Sequence, residues 1–214
     1  MSLSIAGVET QLSQPDNGSR DRNVIQHLLS EGYRFVLPRD YFSGDNKGKI
    51  VLLLHDMDFT VGGLQTFVNV EEKLGVKSAF YPRPDADWFN RSIGILEGVE
   101  MKGFEVGYQY DCLSRSDGNV THARELFYSQ LNYMREFFKI QTTDYHGDSY
   151  NFNIFNLDLY DRTLWHSYGL NEVYTLIYKQ TNFSYYTDTD NKLVSPPEPL
   201  QDLVLVQLHT DWTK

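Results

Sequence analysis

Cysteine is almost missing from this sequence: Cys112 is the one thiol in 214 residues. No internal disulfide can form from it, and no zinc-finger spacing exists. Nor is there an apolar run of about 18 residues, so nothing reads as a membrane-spanning helix. Positive charge is scarce, with 19 Lys and Arg against 29 Asp and Glu and a formal net charge of −10. Without a basic stripe, nucleic acid and anionic membrane surfaces are disfavoured as partners. Proline is sparse and never forms a linker; its one cluster, "VSPPEPLQD", reads as a rigid loop before a last strand. Repeats and low-complexity tracts are lacking. The opening "MSLSIAGVETQLSQPDNGSRDRN" has neither the basic start nor the long apolar stretch of a secretion signal, so a cytoplasmic location is the expectation. The Asn-x-Ser/Thr triplets at Asn17, Asn90, Asn119 and Asn182 are then incidental.

Aromatic residues, by contrast, abound: 15 Tyr and 13 Phe suit a packed core and also sugar-binding clefts. The length fits one domain. Residues 1–21 are polar and unpatterned, which predicts a loose arm, with the folded domain covering 22–214. "RNVIQHLLSEGYRFV" predicts a helix and a short strand, and "GKIVLLLHD" a strand buried on both faces, as in a parallel sheet. "TVGGLQTFVNVEEKLG", "RSIGILEGVEMKG" and "NVTHARELFYSQLNYMREFF" have helical spacing. "KSAFYPRP", "FEVGYQYD", "TTDYHG", "EVYTLIY" and "DLVLVQLH" read as strands. Alternation of strand and helix at intervals of roughly 25–35 residues is the rhythm of an α/β fold, either an open sheet or a barrel.

In either architecture active sites lie at the carboxyl ends of the strands. The strand from Lys49 delivers His55, Asp56 and Asp58 at its end; the one from Phe104 delivers Gln109, Tyr110 and Asp111. "TTDYHG" contributes His146, and "LVLVQLHTDW" contributes His209, Asp211 and Trp212. Two acids after an apolar strand can divide the work, one holding a divalent cation and the other taking a proton from water. The same pair could instead cap a strand-end turn. His209 suits either a general acid or a satisfied buried imidazole. His27, His122 and His166 fall in predicted helices and read as surface or structural. Cys112 has no histidine relay beside it in sequence.

The order "LLLHDMD", "LGVKSAFY", "KGFEVGYQYD", "VLVQLHTDW" resembles the polysaccharide deacetylases of the NodB-homology type, carbohydrate esterase family 4, and more narrowly a divergent branch with a His-Asp-x-Asp first motif. The resemblance covers about residues 22–214. It implies a single distorted, incomplete (β/α) barrel and metal-dependent removal of acetyl groups from N-acetylated sugars. Asp56 would be the base, Asp58 a metal ligand, His209 the general acid and Trp212 a wall of the sugar site. His146 matches the branch's His-Gly, and "YYTDTDNKLV", with Asp188 and Asp190, matches an acidic loop near the site.

Where the family places metal-binding histidines, this sequence has Gln109 and Leu113. An amide oxygen is a poor zinc ligand. A replacement set of Asp58, Asp111 and His146 would hold zinc or a harder divalent ion, with His55, Gln109, Tyr108, Tyr110, Trp212 and Asp188 contacting substrate. Three functions follow: a metal-assisted deacetylase of glycans, a silent carbohydrate-binding domain of the same fold, or a metal-free hydrolase using Asp56 and His209. The last needs electrophilic donors that no motif marks.

Overall fold

A computed structural model describes residues 17–147, 154–178, 182–189, 192–195 and 198–210. The chain runs α1 (Asn17–Ser30), β1 (Arg34–Phe35), α2 (Pro38–Phe42), β2 (Ile50–Met57), α3 (Leu64–Leu74), β3 (Ala79–Pro82) and α4 (Phe89–Met101). β4 (Glu105–Val106), β5 (Tyr108–Tyr110), α5 (Cys112–Arg115), α6 (Val120–Met134) and β6 (Thr142–Tyr145) follow. After a 3₁₀ turn (Asn156–Leu159) come α7 (Arg162–Ser167), β7 (Asn171–Glu172), α8 (Val173–Tyr178), β8 (Ser184–Thr189), β9 (Lys192–Val194) and β10 (Leu203–His209).

The larger sheet is ordered β4-β3-β2-β10-β8-β9, and a second sheet is ordered β5-β6-β7. All pairings are parallel except β8 with β9. β10 pairs with β2 from Ile50 to Asp56 along one edge, leaving the other to β1 below and β3 above. This is the α/β architecture that the strand–helix rhythm predicts. β4 and β5 are one stretch of chain interrupted at Gly107, where a Cβ would overlap the Tyr81 ring. The glycine lets the chain pass from one sheet into the other.

Every residue of β2 is buried, as its unbroken apolar run predicts. Side chains alternate across a strand. Val51, Leu53 and Met57 therefore pack with Val24, Ile25, Leu28, Leu64, Phe67 and Val68 of α1 and α3. Ile50, Leu52 and Leu54 face inward with Ala79, Tyr81, Val173, Tyr174, Leu203 and Leu205. α3 ends at Gly75, whose positive φ of 71° closes the last turn.

The structure departs from the sequence expectations at three places. α1 begins at Asn17, so residues 17–21 are helical rather than a loose arm, and Asp21 is fully buried. "EVYTLIY" is not a strand beyond Glu172: the Glu172 carboxylate accepts the Thr175 backbone N–H at 2.5 Å and starts α8, overriding the β preference of Val, Tyr and Ile. Of "YYTDTDNKLV", the residues up to Thr189 belong to β8 and Lys192–Val194 form β9 rather than a loop, with Asp188 opposite Leu193.

Candidate active site

β2, β10, β8 and β6 bring their carboxyl ends together around Asp56. In the parallel register His209 lies beside Asp56, and Gln207 beside Leu54, so both follow the inward face of β2. The Gln207 amide donates to Asp56 Oδ2 and accepts from the Tyr185 hydroxyl, which lies 2.9 Å from the Tyr174 hydroxyl. This chain fixes the Asp56 rotamer from below. Asp144, fully buried on β6 beside Gln109, also faces Asp56.

Two buried carboxyls cannot both ionise cheaply. Burial and the charges of Asp56 and Glu172 push Asp144 far above the usual carboxylate range. Burial also raises Asp56, to about 6, while His209 and the Gln207 and Asp144 contacts oppose the rise and Asp58 adds to it. Of the two, Asp56 is the one that gives up its proton the more readily, with Asp144 holding its own beside it.

His209 is held at both ends. Its Nδ1 lies 2.7 Å from Asp188 Oδ1, and its backbone N–H donates to both Asp188 oxygens at 3.1 Å. Its Nε2 points between two carboxylates, 3.8 Å from Asp56 Oδ2 and 3.7 Å from Asp58 Oδ2. Burial alone would lower this imidazole's pKa, but the Asp188 hydrogen bond and the charges of Asp56, Asp188 and Asp58 outweigh it and raise it to about 9. Arg20 of α1 reaches Asp188 Oδ2 at 3.5 Å, so the segment expected to be loose is tied to the site. At the same edge Gly63 lies so close to the Thr210 carbonyl that no Cβ would fit, drawing the β2–α3 loop over the end of β10.

The expected metal ligands are arranged differently. Asp58 Oδ1 and His146 Nε2 are 3.5 Å apart. Asp111 is clamped: Arg83 NH2 donates to Oδ2 at 2.8 Å, and Arg115 Nε donates to both oxygens at 2.8 Å. The Arg83 NH1 group also lies 3.4 Å from His146 Nε2. Asp58, His146 and Asp111 therefore do not fit a divalent ion, because a guanidinium already occupies the donors two of them would offer. Gln109 points inward, and its buried amide oxygen accepts no hydrogen bond among the described residues.

Strand parity removes three of the expected substrate contacts. His55 lies on the helix side of β2, one residue from Asp56 but on the opposite face. It is fully buried between Phe67 and Phe80, with Nε2 2.6 Å from Glu71 Oε1. Tyr108 and Tyr110 likewise face the helices, packed on Phe127, with the Tyr108 hydroxyl donating to Gln130 at 2.5 Å. Cys112 is buried and its thiol is pushed up to about 12, mainly by burial, which leaves it inert. Trp212, Asp190 and Tyr150 lie outside the described residues.

Sequence reading missed Arg83, Arg115, Asp144 and Gln207. Arg83 sits in the "PRP" that ends β3, where the two prolines read in the sequence only as a strand stop, and both the arginine and Asp85 beyond it go unnoticed. Asp144 and Gln207 each stand two residues before a predicted site histidine, on the same face by strand parity. Above these groups opens a cleft of about 370 Å³ lined by Asp58, Phe59, Arg83, Trp88 and Arg115 among others. Phe59 is 69% exposed there, an aromatic face turned to solvent.

Asp21, His55 and Glu71 also bring metal-type donor atoms within 4.8 Å of one another, behind β2. The 2.6 Å His55–Glu71 contact is tighter than the separation of about 3.3 Å between two ligands of one tetrahedral zinc. His55 and Glu71 form a hydrogen-bonded pair, while neither oxygen of the buried Asp21 has a hydrogen-bond partner among the described residues.

No protein-family model matches the sequence, and no curated protein matches it. Solved structures do. The chain is similar to a Streptococcus mutans CE4 esterase at 15% identity and TM-score 0.56, covering 85% of this chain and 82% of that one. It is also similar to the catalytic domain of peptidoglycan N-acetylglucosamine deacetylase from Eubacterium rectale, at 13% identity and TM-score 0.52, covering 78% of each. The chain has the fold of the CE4 esterases, the polysaccharide deacetylase fold. No helix among the described residues is long and apolar enough to cross a membrane.

Proposed function

We propose that the protein is a hydrolase that removes an acetyl group from an N-acetylated sugar or glycan. The two sheets form the wall of a distorted, incomplete (β/α) barrel, and the cleft lies at its carboxyl-end mouth. The observation that carries this reading is the placement of His209 Nε2 between Asp56 and Asp58, with Nδ1 anchored on Asp188. Asp56, ionised and oriented by Gln207, takes a proton from the attacking water. His209, protonated, gives its Nε2 proton to the departing nitrogen. Phe59 offers an exposed aromatic face to a sugar ring, beside the largely buried Trp88. Because the expected ligand set does not fit a metal, no step is assigned to one.

The test is acetate release from neutral N-acetylglucosamine oligomers. Loss of release in both Asp56→Asn and His209→Gln is expected; unchanged release in either variant removes that residue from the mechanism. A second reading, a sugar-binding domain without turnover, is favoured by Gln109 standing where the family has an imidazole. Saturable oligomer binding without acetate release in the wild type would select it.

A further inference from the structure

The cleft holds a positive charge where metal-type donors gather. Arg83 leaves the end of β3 with only 5% of its surface exposed. Its NH2 end is anchored by Asp111 at 2.8 Å and Asp85 at 3.3 Å, and its NH1 end lies at His146. Arg115, on α5, pairs with the same two carboxylates and holds them in place. Arg83 is therefore fixed before any ligand arrives. That is the condition under which a donor stabilises developing charge without reorganising.

From Arg83 the contacts run through His146 to Asp58, whose Oδ2 lies 3.7 Å from His209 Nε2, so the guanidinium belongs to the same network as the acid–base pair. The cleft is not an anion trap, because Asp58, Asp85 and Asp87 line it against Arg83 and Arg115. A neutral carbonyl oxygen suits it better than a carboxylate or phosphate.

We infer that this centre works without a divalent ion, with Arg83 filling the cation's place and its guanidinium binding the acyl oxygen of the substrate. The acyl-oxygen role rests on the deacetylase proposal. Water's oxygen bonds to the acyl carbon while Asp56 takes its proton, and the carbonyl π pair moves onto the oxygen facing Arg83. That pair then re-forms the C=O bond and the C–N bond breaks. The nitrogen takes the Nε2 proton of His209, and the amine departs with acetic acid, which loses its remaining proton to solvent as acetate. The proton on Asp56 passes to solvent and His209 regains one, which closes the cycle. This supplies the electrophilic donor that the sequence motifs leave unmarked.

The experiment is equilibrium dialysis of chelator-stripped wild type, Arg83→Met, Arg83→Lys and Asp58→Asn against Zn²⁺ and Mn²⁺, paired with acetate release with and without EDTA. The wild type and Arg83→Lys are expected to hold no ion that depends on Asp58. Arg83→Met, which opens Asp58, His146 and Asp111, is expected to gain about one equivalent. Wild-type turnover should survive EDTA. In Arg83→Met kcat should fall about 100- to 1,000-fold with KM little changed, and Arg83→Lys should recover part of it. One equivalent bound by the wild type and lost in Asp58→Asn, with turnover abolished by EDTA, would overturn the inference, and wild-type dialysis decides this even if Arg83→Met does not fold. If no acetate appears under any condition, the deacetylase proposal falls, and dialysis alone decides whether Arg83 holds the cation's place.

Discussion

His209 and Asp56 are tuned in opposite senses by what they touch. Asp56 must be ionised and His209 protonated for the proposed chemistry. The rate should therefore rise as pH passes about 6 and fall as it passes about 9. A profile of kcat/KM against pH checks both limbs; a flat profile between pH 5 and 10 would remove the pair. Asp188→Asn takes away the hydrogen bond and charge that hold the imidazole up. The alkaline limb should then move toward the ordinary 6.5, and kcat/KM at pH 8 should drop about 30-fold. NMR titration of the His209 ring reads the same shift without substrate. Asp56, Asp58, His146 and His209 could be singled out in the sequence because each closes or follows a strand with chemistry at its tip, and Asp188 only through the family resemblance; the structure brings the five together. His55, Tyr108 and Tyr110 were misplaced for one reason: at a strand end, neighbours in sequence face opposite sides. The clamp on Asp111 was invisible because its two arginines arrive from β3 and α5.

At the level of elements, the junction of α1, β2 and α3 is pH-sensitive. Burial raises Glu71 to about 8 from 4.5 and lowers His55 to about 4 from 6.5. The folded protein keeps a proton on Glu71 that the unfolded chain would release. That share of stability is full below pH 4.5 and is lost as pH rises through 8. His55 works the other way: its share is present above pH 6.5 and lost as pH falls through 4. Glu71→Gln stays neutral at every pH, so the alkaline decline should flatten. The difference between pH 5 and 8 should shrink by on the order of 3 kcal/mol in urea unfolding. An unchanged slope would mean that Glu71 ionises freely in the folded state. Gly107→Ala pushes a methyl group into the Tyr81 ring and should cost about 1–3 kcal/mol, read as a lower melting temperature. Most helices and strands followed from periodicity. α8 did not, because one carboxylate cap, not composition, decides its backbone.

For the whole molecule, charge selects what enters. With a net −10 and carboxylates outnumbering guanidiniums at the cleft, a carboxylate-bearing glycan should react with kcat/KM about 10-fold below a neutral one. Added salt should narrow that gap; a gap that salt leaves unchanged would point to shape instead. The α/β class was legible from the strand–helix rhythm. The split into two sheets was not, because it turns on Gly107 and the ring stacked over it. Strand order carries one more consequence, for synthesis. β10, the last strand described, pairs with β2 from Ile50 to Asp56 and separates it from β8. While the chain is emerging from a ribosome, β2 therefore waits through some 150 residues with an apolar edge uncovered. A nascent or truncated chain lacking β10 presents that edge to its neighbours, and self-association rather than loss of activity is the first failure it should show.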